Sequence, residues 1–393
     1  MRLRTLCKIA QKIATAFVLA LGLAWQAYAD TEGNAYAGDN IYAGTLGKSA
    51  IIVHFYKNND GKSVGTYFYR SKGRDIGLAN PSKEGQYMEC PIKTTGESVS
   101  DPEDPEPCDD PRGYWRLSMT DDGAAGEWSK TADFNKPLAI HLKRVSNLKT
   151  CDDQDNAYEC LRMEGTVSVR KGSQGQSDDG TVAWHFVQEK RSQVSVPQLT
   201  KAPNATAMRA VNNIIKQKSR EYISRVLTGM TEDSPPEYEV VLANKRTITV
   251  ENSYVFQHPL YGSYRKEWNS DTFDLGSGEK IEWKRLLRFP EENKKSIDYA
   301  KETDVVSMAL RKAIAQQDND ECFADILDRF NQLNQNGNSY SYAMNQIEFS
   351  PHKDGLFVVL LLWDISSPYC AGTGVTIPWT EVRPLLLKPF PLP

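Results

Sequence analysis

The sequence has little histidine and no paired-cysteine motif. Only five of its 393 residues are His, and no two of them stand three or four positions apart, the spacing that places two ligands on one turn of a helix. No Cys-x-x-Cys spacing occurs among the seven Cys. Both absences speak against a zinc site, and we expect neither a metal nor a cofactor.

An excess of positive charge and a long apolar run are also missing. The formal net charge is -4, whereas proteins that bind nucleic acids carry basic surfaces, so we expect no nucleic-acid partner. The most apolar stretches, residues 13–25 and 355–363, are shorter than the roughly 20 residues that span a bilayer. We therefore expect no membrane span in the mature protein.

Aromatic residues, in contrast, are plentiful. The chain contains 18 Tyr, 13 Phe and 8 Trp, which supply enough apolar surface for folded cores and exclude disorder over the whole length. At about 150 residues per domain, the length predicts two domains and allows three.

The first 29 residues have the three parts of a secretory signal peptide. A basic start (Arg2, Arg4, Lys8, Lys12) precedes the apolar run 13–25, and Ala27-Tyr28-Ala29 is a small-x-small cleavage site. We expect cleavage after Ala29 and a mature protein in the periplasm or outside the cell. The signal carries four basic and no acidic residues, so the mature net charge becomes -4 - 4 = -8, which attracts basic partners.

Six Cys remain after cleavage, an even number that predicts three disulfides in an oxidising compartment. Neighbourhood in the sequence favours one of the 15 possible pairings. The favoured pairs are Cys90–Cys108, Cys151–Cys160 and Cys322–Cys370. The first closes an acidic, Pro-rich loop, the second a hairpin end, and the third is a long-range link.

The first half, residues 30–194, has the pattern of β-structure. Short β-rich runs such as 51–56 and 64–70 alternate with Gly, Asn and Asp turns, and no segment between 30 and 190 has a clear helical period. This pattern predicts an all-β antiparallel domain, either a sandwich or a barrel.

The period changes in the second half, residues 195–393. Pro197 and Pro203 predict an exposed connection over 192–204, and an amphipathic helix is predicted from Ala205 to about Gly229. Strands and further helices follow without strict alternation, which predicts an α+β domain.

The second half resembles the extracytoplasmic C-terminal domain of RsiV-type anti-sigma factors, which is also found in PdaC-type peptidoglycan deacetylases. The residues that carry the resemblance form a spaced pattern: Tyr261-Gly262, the segment 273–280 (FDLGSGEK), Trp283, Leu286-Leu287, Phe357-Val358-Val359, Trp363-Asp364-Ile365, Pro368-Tyr369, Ala371-Gly372, Val375, Ile377-Pro378-Trp379 and Leu385. The first half is similar, at 42–47 and 65–69, to β-rich domains of uncharacterised exported proteins.

The resemblance implies an α+β fold and, as in RsiV-type proteins, binding of a lysozyme. It implies a binding edge around the closing strands, where we expect Tyr261, Tyr264, Tyr369 and Gly372 to contact the partner. The chain has no deacetylase domain, and we expect no enzymatic activity.

Three weaker patterns have simpler interpretations. The two Gly-Lys-Ser sequences at 47–49 and 61–63 lack the first Gly of a phosphate-binding loop and are interpreted as turns. The acidic loop 101–110 is expected to be solvated, or else to attract a basic partner. A calcium site at Asp152, Asp153, Asp155 and Glu159 is the alternative to a solvated hairpin end.

Two functions follow from these patterns. The first is an exported cell-envelope binding protein that captures or inhibits a lysozyme-like hydrolase, which is typically basic. The alternative is a peptidoglycan- or carbohydrate-binding accessory module without catalytic activity. The alternative depends on a set of aromatic residues that either form a sugar-stacking surface or pack in the core. They are Tyr67, Tyr69, Trp115, Trp128 and Trp184.

Overall fold

A computed structural model describes most of the chain after residue 39. The described residues are 40–58, 61–81, 85–91, 105–145, 157–228, 235–257, 264–290, 300, 303–316, 321–337, 345, 347–360, 370, 372–388 and 390. The predicted signal peptide, residues 1–29, lies outside them. The acidic loop is described only from Pro105 onward.

The first half contains a closed antiparallel barrel of eight strands. The strands are β1 (Ile41–Leu46), β2 (Ser49–Lys57), β3 (Ser63–Tyr69), β4 (Asp75–Ala79), β5 (Gln86–Cys90), β6 (Tyr114–Thr120), β7 (Gly123–Ser129) and β8 (Leu138–Arg144). Each pairs with its neighbours in sequence, and β1 pairs with β8 from Tyr42↔Arg144 to Leu46↔Ile140, which closes the barrel. The predicted antiparallel β-structure is therefore confirmed, and of the two predicted architectures, a sandwich or a barrel, it is the barrel.

Alternation along each strand fills the barrel. In β2, Ile51, Val53 and Phe55 belong to the interior cluster, and Ile52 belongs to a second cluster outside the barrel. Trp115 and Ile140 complete the buried interior. An eight-stranded barrel is just wide enough for side chains to fill it, so open space is confined to its ends.

Helix α1 (Ala157–Glu164) packs on the outside of the barrel, where the sequence predicted no helix. Its Tyr158 and Leu161, three residues apart, cover Ile52 and Phe68. The buried Arg162 donates to both carboxylate oxygens of Asp75 at 2.8 Å. The prediction that residues 30–190 contain no helix was therefore wrong. A helix of two turns is too short to show a clear period in the sequence, and it is stabilised by tertiary contacts.

A three-stranded sheet follows, made of β9 (Ser168–Gln176), β10 (Ala183–Glu189) and β11 (Ser195–Lys201). Strands β10 and β11 pair antiparallel, so the predicted boundary between residues 194 and 195 falls inside a hairpin. Pro197, taken as a sign of an exposed connection, lies in β11 at the edge of the sheet, where a missing N–H is tolerated. The expected connection over 192–204 is thus largely a strand.

Helix α2 (Ala205–Leu227) begins where the sequence predicted it. The side chain of Asn204 caps it by accepting hydrogen bonds from the backbone N–H groups of Thr206 and Ala207. The helix packs on β11 and on a sheet of β12 (Glu237–Ala243), β13 (Thr247–Gln257) and β14 (Tyr264–Asp274). Val211 and Ile215 meet Ile248 and Phe273 in the shared core.

The remaining elements share a separate core. They are α3 (Trp283–Leu286), α4 (Val305–Ile314), α5 (Glu321–Gln335), β15 (Glu348–Pro351), β16 (Gly355–Val359), β17 (Gly374–Pro378) and α6 (Trp379–Val382). The three strands form an antiparallel sheet, and α4 packs its buried Val306 and Leu310 into the core beneath it. This half therefore mixes helices and sheets, as predicted.

Two of the predicted disulfides are present. Cys90 is bonded to Cys108, and Cys322, in the first turn of α5, is bonded to Cys370. Cys160 is also disulfide-bonded and lies in α1 rather than at a hairpin end, while Cys151 lies outside the described residues. No helix in the described part of the chain is long and apolar enough to cross a membrane.

Candidate functional site

The structure places only part of the predicted partner-binding edge. Tyr261 and Tyr369 lie outside the described residues. Tyr264 is the first residue of β14. Gly372 has a φ of +84°, and a Cβ there would meet the Trp268 side chain at 3.3 Å, so only glycine fits this backbone without strain.

The two Gly-Lys-Ser sequences lie in hairpin turns, as predicted. Gly47 separates β1 from β2, and Gly61 precedes β3, both with positive φ. Residues 61–65 also have the Gly-x-Ser-x-Gly spacing of a hydrolase nucleophile turn. That turn joins a strand to a helix, whereas Ser63 begins a strand of a hairpin and its Oγ is 3.3 Å from the Tyr87 hydroxyl.

Of the four acidic residues considered for calcium, Asp152, Asp153 and Asp155 lie outside the described residues. Glu159 lies in α1, where its carboxylate accepts hydrogen bonds from Arg162 at 3.0 Å and from the Ser224 hydroxyl at 2.9 Å. The contact with Ser224 links α1 to α2. Within the described ranges, no group of three or more His, Cys, Asp or Glu side chains is placed to hold a metal ion.

The aromatic residues considered for sugar stacking do not form a surface. Tyr67 and Trp115 are buried inside the barrel, Tyr69 and Trp128 pack against the same interior, and Trp184 packs on the core between α2 and its sheet. The hypothesis of an aromatic sugar-stacking surface is therefore wrong, and the packing interpretation is confirmed. Inward-facing positions of a closed barrel have no exposed side, which period-two alternation alone does not reveal.

These aromatics surround a buried carboxylate that the sequence analysis missed. Glu89, only 4% exposed, accepts three hydrogen bonds at Oε1: from the Tyr67 hydroxyl at 2.5 Å, Trp115 Nε1 at 2.8 Å and Trp128 Nε1 at 2.7 Å. Burial first, and then the charge of Glu89, raises the pKa of Tyr67, which keeps its hydroxyl a donor. These hydrogen bonds join β3, β5, β6 and β7 through one carboxylate oxygen, and we therefore assign Glu89 a role in holding the strands together.

The open end of the barrel holds a pocket of about 420 Å³. It lies where β2, β4 and β6 end and where β3 and β5 begin. Its walls are a mixture of aromatic, amide, hydroxyl and ammonium side chains together with two glycines: Asn40, Tyr42, Phe55, Tyr56, Lys57, Gly61, Lys62, Ser63, Asn80, Gly85, Tyr87 and Met119. We call this pocket the barrel mouth.

The floor of the barrel mouth is aromatic and pre-formed. Phe55 lies between Tyr42 and Tyr87, with ring centroids 5.7 Å and 5.1 Å away, and all three rings are buried. Because they come from β1, β2 and β5, closure of the barrel is what brings them together. Such an apolar floor favours the apolar part of a ligand.

The rim of the barrel mouth is polar and held by backbone contacts. Lys57 and Lys62 flank the β2–β3 turn. The turn is closed by the Asn58 N–H donating to the Lys62 carbonyl, the Gly61 N–H donating to the Asn58 carbonyl, and the Lys62 N–H donating to the Asn58 side chain. Met119, at the end of β6, is 46% exposed and gives the rim one large apolar side chain. The rim therefore offers both hydrogen-bonding groups and apolar contact.

Gly85 closes the other side of the mouth. It has a φ of +70°, and a Cβ there would lie 2.4 Å from the carbonyl oxygen of Leu117. Its own carbonyl accepts a hydrogen bond from the Leu117 N–H at 2.7 Å. Only glycine allows the β4–β5 connection to approach β6 this closely.

Comparison with family models and with curated proteins identifies no relative. No family model matches the chain, and a search of curated proteins finds no match either. Assignment of a function therefore rests on the geometry described above and on the sequence pattern of the second half.

Proposed function

We propose that this is an exported, non-catalytic binding protein of the cell envelope, and that the barrel mouth holds a carbohydrate segment such as a fragment of peptidoglycan. The observation that carries the proposal is a pocket of about 420 Å³ at the open end of a closed barrel. Small-ligand pockets span about 300–1,000 Å³ and combine apolar walls with a few polar groups.

The side chains of the mouth suit a saccharide ligand. The amides of Asn40 and Asn80, the hydroxyls of Ser63 and Tyr87, and the ammonium of Lys57 are the groups that bind sugar hydroxyls and carboxylates. The aromatic floor and Met119 suit the apolar face of a sugar ring. The mixture matches a ligand that is polar at its edges and apolar on its faces.

Binding of a soluble disaccharide–peptide fragment of peptidoglycan to the full mature chain, measured by titration calorimetry, tests this proposal. We expect Lys57→Ala to weaken binding about tenfold, because a charge-assisted hydrogen bond is lost. Lys48→Ala removes an exposed Lys from the opposite end of the barrel and is expected to leave the affinity unchanged. Equal affinities of the two variants would argue against the mouth as the site.

Capture of a lysozyme-like hydrolase by the second half is the second candidate. Its specific support is the bond of Cys370 to Cys322 and the position of Gly372, where a Cβ would lie 3.3 Å from the Trp268 side chain. Backbone positions that are already constrained lose little freedom on binding. The acidic mature chain also suits a basic partner.

Titration of the full mature chain with a lysozyme at low and high salt tests this candidate. We expect binding that weakens with salt and falls at least about tenfold in Tyr369→Ala, since aromatic residues dominate many interfaces. Absence of binding at micromolar concentration in low salt would exclude capture, and would leave the barrel-mouth proposal untouched.

Export itself is part of the proposal. Two disulfides within the described residues support an oxidising compartment. Mass spectrometry of the mature protein is expected to show an N-terminus at Asp30, and the full-length mass starting at Met1 would contradict it.

A further inference from the structure

A second pocket, of about 190 Å³, lies between helix α2 and the sheet of β12–β14. Lys218, Glu221 and Tyr222 line it from α2, where residues three and four apart share a face. Asn252 lines it from β13, and the alternating residues Glu267, Asn269 and Asp271 line it from β14. We call it the α2 pocket.

The α2 pocket has two buried side chains with hydrogen-bond donors to spare. Tyr222 is 8% exposed, and its hydroxyl accepts from Asn269 Nδ2 at 3.2 Å but donates to no residue that the structure describes. Asn252 is 5% exposed, and its NH₂ group likewise donates to none of the described residues. Buried polar groups are normally satisfied, so a ligand with acceptor oxygens suits two donors that line one pocket and that no described residue accepts.

Charges divide the α2 pocket into two ends. At one end the ammonium of Lys218, the cation among the lining residues, lies 2.6 Å from the carboxylate of Asp271, which also contacts Lys280 at 2.9 Å. At the other end Glu221 and Glu267 share Arg225, at 2.6 and 3.5 Å, which leaves one excess negative charge. The pocket is therefore dipolar.

The two ends are close together. Asn269 Nδ2 lies within 3.5 Å of the Tyr222 hydroxyl, of Asn252 Oδ1 and of Glu267 Oε1. Burial, and then the charges of Glu267 and Glu221, raises the pKa of Tyr222, so the hydroxyl remains a donor at neutral pH. A ligand that satisfies both ends must carry opposite charges a short distance apart.

We propose that the α2 pocket binds an α-amino acid group, with its carboxylate at Lys218, Tyr222 and Asn252 and its ammonium at Glu221 and Glu267. The volume far exceeds the roughly 10–15 Å³ that one water molecule needs. The inference concerns a different site from the barrel mouth and does not depend on it.

Titration of the full mature chain with alanine, followed by calorimetry or ligand-observed NMR, tests the proposal. Alanine is expected to bind with a dissociation constant of about 10 mM or lower. N-acetylalanine, which lacks the ammonium, and alanine methyl ester, which lacks the carboxylate, are each expected to bind at least about tenfold more weakly. No binding of alanine, or equal binding of the blocked compounds, would overturn the proposal.

A pair of matched variants locates the binding. Tyr222→Phe removes only the hydroxyl, whose proton no described residue accepts, and is expected to weaken alanine binding about tenfold. Tyr238→Phe is the control, since the Tyr238 ring packs on Tyr222 at 6.1 Å and its buried hydroxyl has no hydrogen-bond partner among the described residues but does not line the pocket. Retained affinity in Tyr222→Phe, with the fold checked by circular dichroism, would overturn the assignment.

A third comparison identifies the source of the amino acid group. A peptide blocked at both ends and carrying diaminopimelate presents such a group at the end of a side chain. Tighter binding of this peptide than of free alanine points to a peptide ligand, and the reverse points to a free amino acid. Either order supports the proposal, and failure of both ligands to bind contradicts it.

Discussion

Two buried polar clusters of this protein differ in how fully their groups are used. In the barrel, Tyr67, Trp115 and Trp128 all donate to the one buried carboxylate of Glu89. In the α2 pocket, Tyr222 and Asn252 keep donors that no described residue accepts. The first arrangement uses its donors to join four strands, whereas the second leaves donors for a ligand.

The two halves also differ in how their β-sheets are held together. The barrel closes on itself through β1 and β8, so its strands have no free edge. The second half consists of small three-stranded sheets that rely on helices and on the Cys322–Cys370 bond. We therefore expect the stability of the barrel to depend on the buried carboxylate of Glu89, and the stability of the second half to depend on the Cys322–Cys370 disulfide.

The largest expected effect comes from Glu89→Ala. The substitution leaves three donors without an acceptor, two of them buried and that of Trp128 partly buried. At about 1–3 kcal/mol each, we expect a loss of about 5 kcal/mol in the free energy of unfolding of the barrel. Denaturation followed by tryptophan fluorescence measures it, because Trp115 and Trp128 contact the carboxylate.

Asp121→Ala is the matched control, because Asp121 is an exposed carboxylate in the β6–β7 turn of the same barrel. It is expected to change stability by less than about 0.5 kcal/mol. If Glu89→Ala cost as little as the control, the buried cluster would not hold the strands together as we argue.

Removal of a disulfide ranks next. The bridge Cys322–Cys370 closes 48 residues and Cys90–Cys108 closes 18, so the chain-entropy model gives losses of about 4 and 3 kcal/mol. We expect the Cys-to-Ala double variant of the longer bridge to be the less stable in urea denaturation. The opposite order would mean that barrel closure depends on its bridge more than on β1–β8 pairing.

Removal of the N-terminal cap of helix α2 is expected to have a smaller effect on stability. Asn204→Ala removes the side-chain acceptor of two backbone N–H groups and is expected to cost about 1 kcal/mol. Asn204→Ser keeps a capping oxygen and should recover most of that loss. Because α2 forms one wall of the α2 pocket, a weaker affinity for alanine in Asn204→Ala but not in Asn204→Ser would tie the cap to the site.

The smallest effect concerns His54, whose ring lies between Tyr56 and Tyr158 where α1 covers the barrel. Burial lowers its pKa below the ordinary value of 6.5. The folded state therefore binds the proton less well than the unfolded state, and stability is lost as the pH falls through 6.5. We expect His54→Phe to reduce the difference in melting temperature between about pH 7.5 and pH 5.5, and an unchanged difference would contradict it.

Local patterns were enough where neighbours in sequence are neighbours in space. Alternation predicted strands such as 51–56, and the change of period at Ala205 predicted α2, because both signals come from a few consecutive residues. The short helix α1 and the edge strand β11 were missed. Both depend on partners elsewhere, α1 on the barrel surface and β11 on its pairing with β10.

Neither pocket was recognised from the sequence. The barrel mouth needs Tyr42, Phe55 and Tyr87 from three strands, and its position follows from closure rather than from any motif. The α2 pocket joins Lys218 to Asp271, which are 53 residues apart. Without the register of β13 and β14, nothing marks Asn252 and Asn269 as opposite each other.

The sequence by itself determined barrel strands such as 51–56, the start of α2 at Ala205 and the Cys90–Cys108 pair, because alternation, helical period and short loop length are local properties. Only the tertiary structure decided that β1 meets β8 and that Glu89 has its three donors. It also decided that Tyr222 and Asn252 face one pocket. Those features depend on strand register and barrel closure, which set distances between residues that the chain itself keeps far apart.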